Sequence, residues 1–196
     1  MGVYKLSTAG GIATPRTNYS SFLAGNPKFV DTSYESIATV TVGGTAQSTI
    51  NFTSIPSNFK HLQLRGILLT STSTNPTYQF NSDTGNNYTG HHLWGTGSSV
   101  SANVQGPNGS TIYFNYNPST SYPSVFVMDI LDYASTTKKK TTRVLAGSDT
   151  NGGTAEIALW SSVWNNSSDA ITSIQLKGSG ADFNQYSTIA VYGIRG

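Results

Sequence analysis

The sequence predicts an all-β fold, an antiparallel two-sheet β-sandwich of jelly-roll type, preceded by an extended N-terminal arm. Three observations predict it. Charged residues make up 10% of the 196 residues and apolar ones 36%, while Ser, Thr and Asn fill about a third of the chain beside 11 Tyr. Aromatic and β-branched residues fit a pleated, half-buried surface, whereas disordered chains are highly charged and poor in both. From Glu35 onward, apolar and polar residues alternate in short runs broken by Gly, Asn, Ser and Asp, the pattern of strands and turns. No segment repeats apolar residues at helical spacing over three turns, so helix content is low and strands without interleaved helices make a sandwich or barrel.

In chain order, ESIATVTV (35–42) and STINFTSI (48–55) alternate and flank GGTAQ, which reads as a hairpin connection. In FKHLQLRGILL (59–69), Leu62, Leu64 and Ile67 mark a strand with Gly66 as a bulge. YQFN (78–81) is a short strand. The stretch Ser82–Asn108 is the longest irregular region and carries Tyr88, His91, His92 and Trp94; long loops in compact domains are usually functional or mobile. STIYFNY (110–116) and SVFVMDILDY (124–133) are strongly β, the latter apolar enough to lie centrally. KTTRVLAGS (140–148), TAEIALWSSVW (154–164), TSIQLK (172–177) and YSTIAVYGI (186–194) complete the set.

The chain has no cysteine, which rules out disulfides and thiolate metal sites. No stretch reaches membrane-spanning length and no apolar secretion core opens the sequence, so neither membrane insertion nor export is expected. Only Glu35 and Glu156 join seven aspartates as material for a glycosidase pair. Asp129 shares a strand face with Val125 and Val127 and is expected to be buried and hydrogen-bonded. His91 and His92 project to opposite sides of an extended segment and make a poor metal site. NSDTGNN (81–87) has one carboxylate where a calcium loop gathers several, and reads as a hydrogen-bonded turn. Lys138-Lys139-Lys140 is the one basic run; it reads as a solvated hairpin tip or edge guard, and nucleic-acid binding wants a wider basic face. The sequence thus predicts neither enzyme nor cofactor nor metal. Aromatic rings in polar surroundings are the better lead, because sugar C–H faces pack on rings while hydroxyls bond to Asn and Ser. Tyr88, His91, His92, Trp94, Tyr116 and Tyr122 are the candidate glycan contacts, while Trp160 and Trp164 read as core or subunit contact.

Residues 1–34 form the expected anchoring arm, ahead of a 35–196 sandwich. Residues 1–30 carry three positive charges (Lys5, Arg16, Lys28) and no negative one. Tyr4, Leu6, Ile12, Tyr19, Phe22, Leu23 and Phe29 have no regular element in which to bury themselves, and Pro15 (next to Arg16) and Pro27 break helical readings. Covering each apolar side chain stabilises by roughly 1.5–3 kcal/mol, against about 1–2 kcal/mol per ordered residue. Attachment therefore needs many copies acting together. This arm is expected to anchor the chain to a neighbouring protein.

The stretches YESIATVTVGG, FNSDTGNNYTGHHLWGTGSS, FVMDILDYAS, TRVLAGSDTNGG, ALW…VWNNSSDAITSIQL and FNQYSTIAVYGIRG resemble a group of virion structural proteins of tailed phages, many infecting cyanobacteria and other aquatic bacteria. KLSTAGGIATPRTNYSSFLAGNPKF resembles the leader of some members, so the likeness spans nearly the whole chain. It implies a β-sandwich displayed on the particle and brings no catalytic residues. The expected product is a virion protein assembled in the bacterial cytoplasm, a homotrimer whose arm binds tail or capsid proteins. A tail fibre or adhesin contacting host-surface glycan is the leading expectation, and a capsid decoration protein the alternative. A β-sandwich carbohydrate-active enzyme is the third, requiring two carboxylates roughly 5–10 Å apart in a cleft.

Overall fold

A computed structural model describes residues 34–115, 118, 120–150 and 155–195. Twelve strands are present among them: β1 (Tyr34–Thr41), β2 (Thr49–Phe52), β3 (His61–Leu68), β4 (Thr77–Phe80), β5 (Tyr88–Gly95), β6 (Val100–Gly109), β7 (Ile112–Tyr113), β8 (Ser124–Leu131), β9 (Lys140–Asp149), β10 (Ala155–Trp164), β11 (Ile174–Lys177) and β12 (Thr188–Ile194). They form two antiparallel sheets, ordered β1-β12-β3-β8-β9-β10-β5-β6 and β2-β11-β4-β7. The described residues form an all-β, two-sheet sandwich.

Its connectivity is that of a rolled hairpin. Without the β5–β6 and β9–β10 hairpins, the remaining eight strands, renumbered in order, run 1-8-3-6 in one sheet and 2-7-4-5 in the other. First pairs with last and second with penultimate, as in a jelly roll. The four additional strands all extend the larger sheet past β8, so β8 is central, as its apolar sequence predicts.

Strand alternation explains the core. Leu62, Leu64 and Leu68 of β3, Met128 and Ile130 of β8, Val144 of β9 and Ile189 and Val191 of β12 point inward. They meet Ile50, Phe52, Tyr78, Phe80, Ile174 and Leu176 of the smaller sheet in one cluster. The added strands turn Trp160, Trp164 and Tyr88 to the same side, all buried. Both tryptophans fill the core.

Several expectations are corrected. The segments 35–42 and 48–55 do not form a hairpin: β1 pairs with β12 and β2 with β11, in different sheets. Gly66 is not a bulge, since its register runs unbroken against both neighbours. Its missing side chain makes room for Phe126, whose Cε1 lies 2.4 Å from where a Cβ would stand. The Ser82–Asn108 stretch is not irregular but holds the β5–β6 hairpin. The 110–116 run shortens to Ile112–Tyr113.

The lysine run is likewise not wholly solvated. Lys138 binds Asp132 Oδ2 at 2.9 Å, but Lys140, the first residue of β9, is buried. Its ammonium donates to the carbonyls of Asn166 (3.1 Å) and Asp169 and lies 5.3 Å from the centroid of the Trp164 ring. Burial pushes its pKa down.

Candidate functional site

Strand β5 decides the fate of the proposed glycan contacts, because its side chains alternate. Tyr88, Gly90, His92 and Trp94 face the sandwich interior, while Thr89, His91 and Leu93 face out. Tyr88 is buried, its hydroxyl accepting the Phe80 amide at 2.9 Å, so its ring presents no face to a ligand. His92 lies half-buried with its ring 4.8 Å from Trp94 and 6.0 Å from Trp160, and burial lowers its pKa. His91 is exposed on the opposite side, as the adjacent-histidine argument requires. Tyr122 is exposed in the loop before β8. These residues do not converge on one surface. Tyr116 lies outside the described residues, as do all the arm residues, Tyr4, Leu6, Ile12, Pro15, Arg16, Tyr19, Phe22, Leu23 and Phe29.

The carboxylates serve turns and pairs. Asp83 Oδ1 accepts the Gly85 amide at 2.8 Å, while Oδ2 accepts Asn87 Nδ2 at 2.8 Å and Trp164 Nε1 at 2.7 Å, so 81–87 is a hydrogen-bonded turn. Asp132 sits between Lys60 and Lys138, and Glu35 pairs with Arg195 at 3.0 Å. Asp129 is hydrogen-bonded, accepting Gln63 Nε2 at 2.6 Å, but only half-buried: the face it shares with Val125 and Val127 is the outer one. Among the described residues no three His, Asp or Glu side chains gather to hold a metal ion.

Asp83 carries a pH prediction. Burial alone raises its pKa, but the hydrogen bonds from Trp164, Asn87 and Gly85 together outweigh it and hold the carboxyl below the usual range. A depressed folded pKa gives stability that is present above the unfolded value, about 3.9, and is lost as pH falls through the folded one. Thermal denaturation is therefore expected to show Tm falling below about pH 4, with a shallower fall in Asp83→Asn. Identical acid slopes would contradict this.

The outer face of the eight-stranded sheet is the feature that sequence reading missed. Cross-strand register sets its outward residues in rows. One row runs Ile67–Val125–Gly147–Ile157–Gly95–Val100, and the next Arg65–Val127–Leu145–Leu159–Leu93–Ala102. Apart from Arg65, neither row carries a charge. The large apolar side chains are exposed, from 37% for Val127 to 75% for Val100, with Leu145 at 53% and Ile157 at 61%. In the first row Gly147 and Gly95 alternate with bulky residues, leaving a groove of about 800 Å³ that Val125, Leu145, Gly147 and Ile157 help line. A second apolar hollow of about 270 Å³ adjoins it between Leu93, Val100, Ile157 and Leu159. Soluble monomers rarely expose apolar patches beyond about 300–600 Å².

A polar row borders the patch: Tyr192–Gln63–Asp129–Arg143–Ser161–His91. At its β1 end, Tyr34 and Tyr192 pack with ring centroids 5.1 Å apart, and the Arg65 guanidinium lies 5.4 and 5.9 Å from those centroids. Gln63 Oε1 accepts from the Tyr34 hydroxyl and, at 2.6 Å, from Arg65 Nε.

The sequence held a signal for this face. In VFVMDIL, RVLA and EIALW, apolar residues occupy both parities, as in strands covered on both sides, while the second sheet of this sandwich covers only one. Comparisons of the chain with known protein families, curated proteins and solved structures find no match.

Proposed function

We propose that the chain is a non-enzymatic structural protein of a tailed-phage virion, a β-sandwich subunit that works as one of several copies in the particle. The observation that carries this reading is the uncovered apolar face of the eight-stranded sheet, which suits a subunit held against protein neighbours better than a module free in solution. The resemblance of its sequence stretches to phage particle components supplies the kind of assembly. The residues ahead of β1 attach the subunit to tail or capsid proteins in this reading; Tyr34, assigned to the arm from sequence, opens β1.

Two placements fit. A tail fibre would present the sandwich to host-surface glycan; of its candidate contacts, Tyr88 is buried, while His91 and Tyr122 are exposed. A capsid decoration protein needs an extended apolar contact and no sugar site, and the apolar rows favour it as the second reading. Quantitative mass spectrometry of purified particles separates them: a handful of copies indicates the tail, hundreds the head. Absence of the chain from particles would overturn the virion reading.

A further inference from the structure

We propose that copies of this chain meet through the outer face of the eight-stranded sheet, patch against patch, with Val125, Val127, Leu145, Ile157, Leu159 and Leu93 at the contact. This rests on the subunit reading above and names its partner and its surface. A contact of one patch with itself is two-fold, so it joins copies in pairs where the sequence led to the expectation of a homotrimer.

Area is the first support. With Ile67 and Val100 the patch holds eight large apolar side chains, between 37% and 75% exposed. Together they offer on the order of 700 Å², close to the roughly 800 Å² that one partner gives to a standard interface. Shape is the second. Leu145, Leu159 and Leu93 form a ridge along one row, beside a row in which Gly147 and Gly95 leave gaps. The ridge of one copy fits the gapped row of another, because a self-complementary contact brings the same surface from both sides.

Charge is the third and selects the partner. Residues 34–195 contain eight basic and eight acidic residues, so two sandwiches do not repel each other. The borders carry both signs, Arg65 and Arg143 beside Asp129, so like borders attract when turned against each other. A nucleic acid or anionic membrane would call for a basic face, and this patch is apolar, with the carboxylates Asp149 and Glu156 at its groove.

Size-exclusion chromatography with light scattering on the full chain tests the proposal. The expected mass is twice the 20.8 kDa of the single chain. Leu145→Glu with Ile157→Glu places two charges in the contact and is expected to weaken association by about 100-fold or more, giving a 20.8 kDa species. Its near-UV circular dichroism should remain native, because both positions face water in the single chain. Asn51→Glu, exposed on the other sheet, is expected to leave the mass unchanged. If the double variant does not fold, Leu145→Ser serves instead, with about 10-fold weakening expected.

Wild-type chain at 20.8 kDa at every concentration would overturn the proposal, as would a natively folded variant of unchanged mass. A monomer whose patch resists carbene labelling would assign the face to the chain's own leading residues, also overturning it. A monomeric chain still found in particles would remove this inference and leave the virion reading standing. An oligomer absent from particles would do the reverse.

Discussion

Replacing Trp164 with alanine will lower the unfolding free energy by about 3–5 kcal/mol, measured by urea denaturation at fixed chain concentration. Trp164 ends β10 and stands in register with Lys140 of β9 and Tyr88 of β5. Its ring is buried, stacked on Tyr88 at 6.4 Å and edge-on to Phe80 of the smaller sheet at 5.7 Å. It thus ties the added hairpins to the rest of the sandwich. Its indole nitrogen donates to Asp83 Oδ2, and its face receives the Lys140 ammonium. Alanine removes all of this at once and leaves a cavity that β-sheet backbone cannot close. Trp164→Phe keeps most of the buried area but orphans one Asp83 bond, so a smaller loss of about 1–3 kcal/mol is expected. Equal losses for the two variants would show that ring packing is not the dominant contribution.

Gly193→Ala will destabilise by about 1–3 kcal/mol, toward the upper end. A Cβ at this inward position of β12 would stand 2.3–2.5 Å from three atoms of the Phe59 ring. That ring has little room to retreat. The Arg195 guanidinium also lies over it, 4.7 Å from the centroid, and the Phe59 amide is held by the Tyr133 hydroxyl at 3.3 Å. Phe59→Leu costs stability alone but relieves the clash, so the double variant should be more stable than the sum of the single losses implies. Strict additivity would mean that Gly193 is not there to make space for the ring.

Most of the sandwich was legible because alternation is a local signal: all ten predicted runs contain strands, and β8 lies centrally as its apolar sequence requires. Pairing was not legible where it is remote. β1 meets β12 across the whole domain, and nothing within GGTAQ distinguishes a hairpin from a crossover between sheets. YTGHHLWG was missed as a strand because Gly90 and His92 occupy its inward positions. Gly90 is required there by crowding, since a Cβ would lie 2.6 Å from Ser162 Oγ and 2.7 Å from Ile112 Cδ1. Lys140 reads as solvated because the carbonyls of Asn166 and Asp169 that receive its charge come from a distant turn.

The candidate site followed the same division. His91 and His92 diverge as extended geometry demands, and Asp83 forms the hydrogen-bonded turn expected of NSDTGNN. The aromatic cluster did not survive as a surface, because strand alternation buries Tyr88 and half-buries Trp94. The apolar rows were visible only as strands rich in hydrophobic residues. Their meaning emerges once the second sheet is seen to lie on one side alone.

The uncovered sheet face is, in the proposed assembly, a contact between subunits. An electron cryomicroscopy reconstruction of the purified full-length chain tests this most directly. Leu145, Ile157 and Leu159 of one copy are expected to pack against the same rows of another. A reconstruction with that face turned to solvent, and the copies joined elsewhere or not at all, would contradict it.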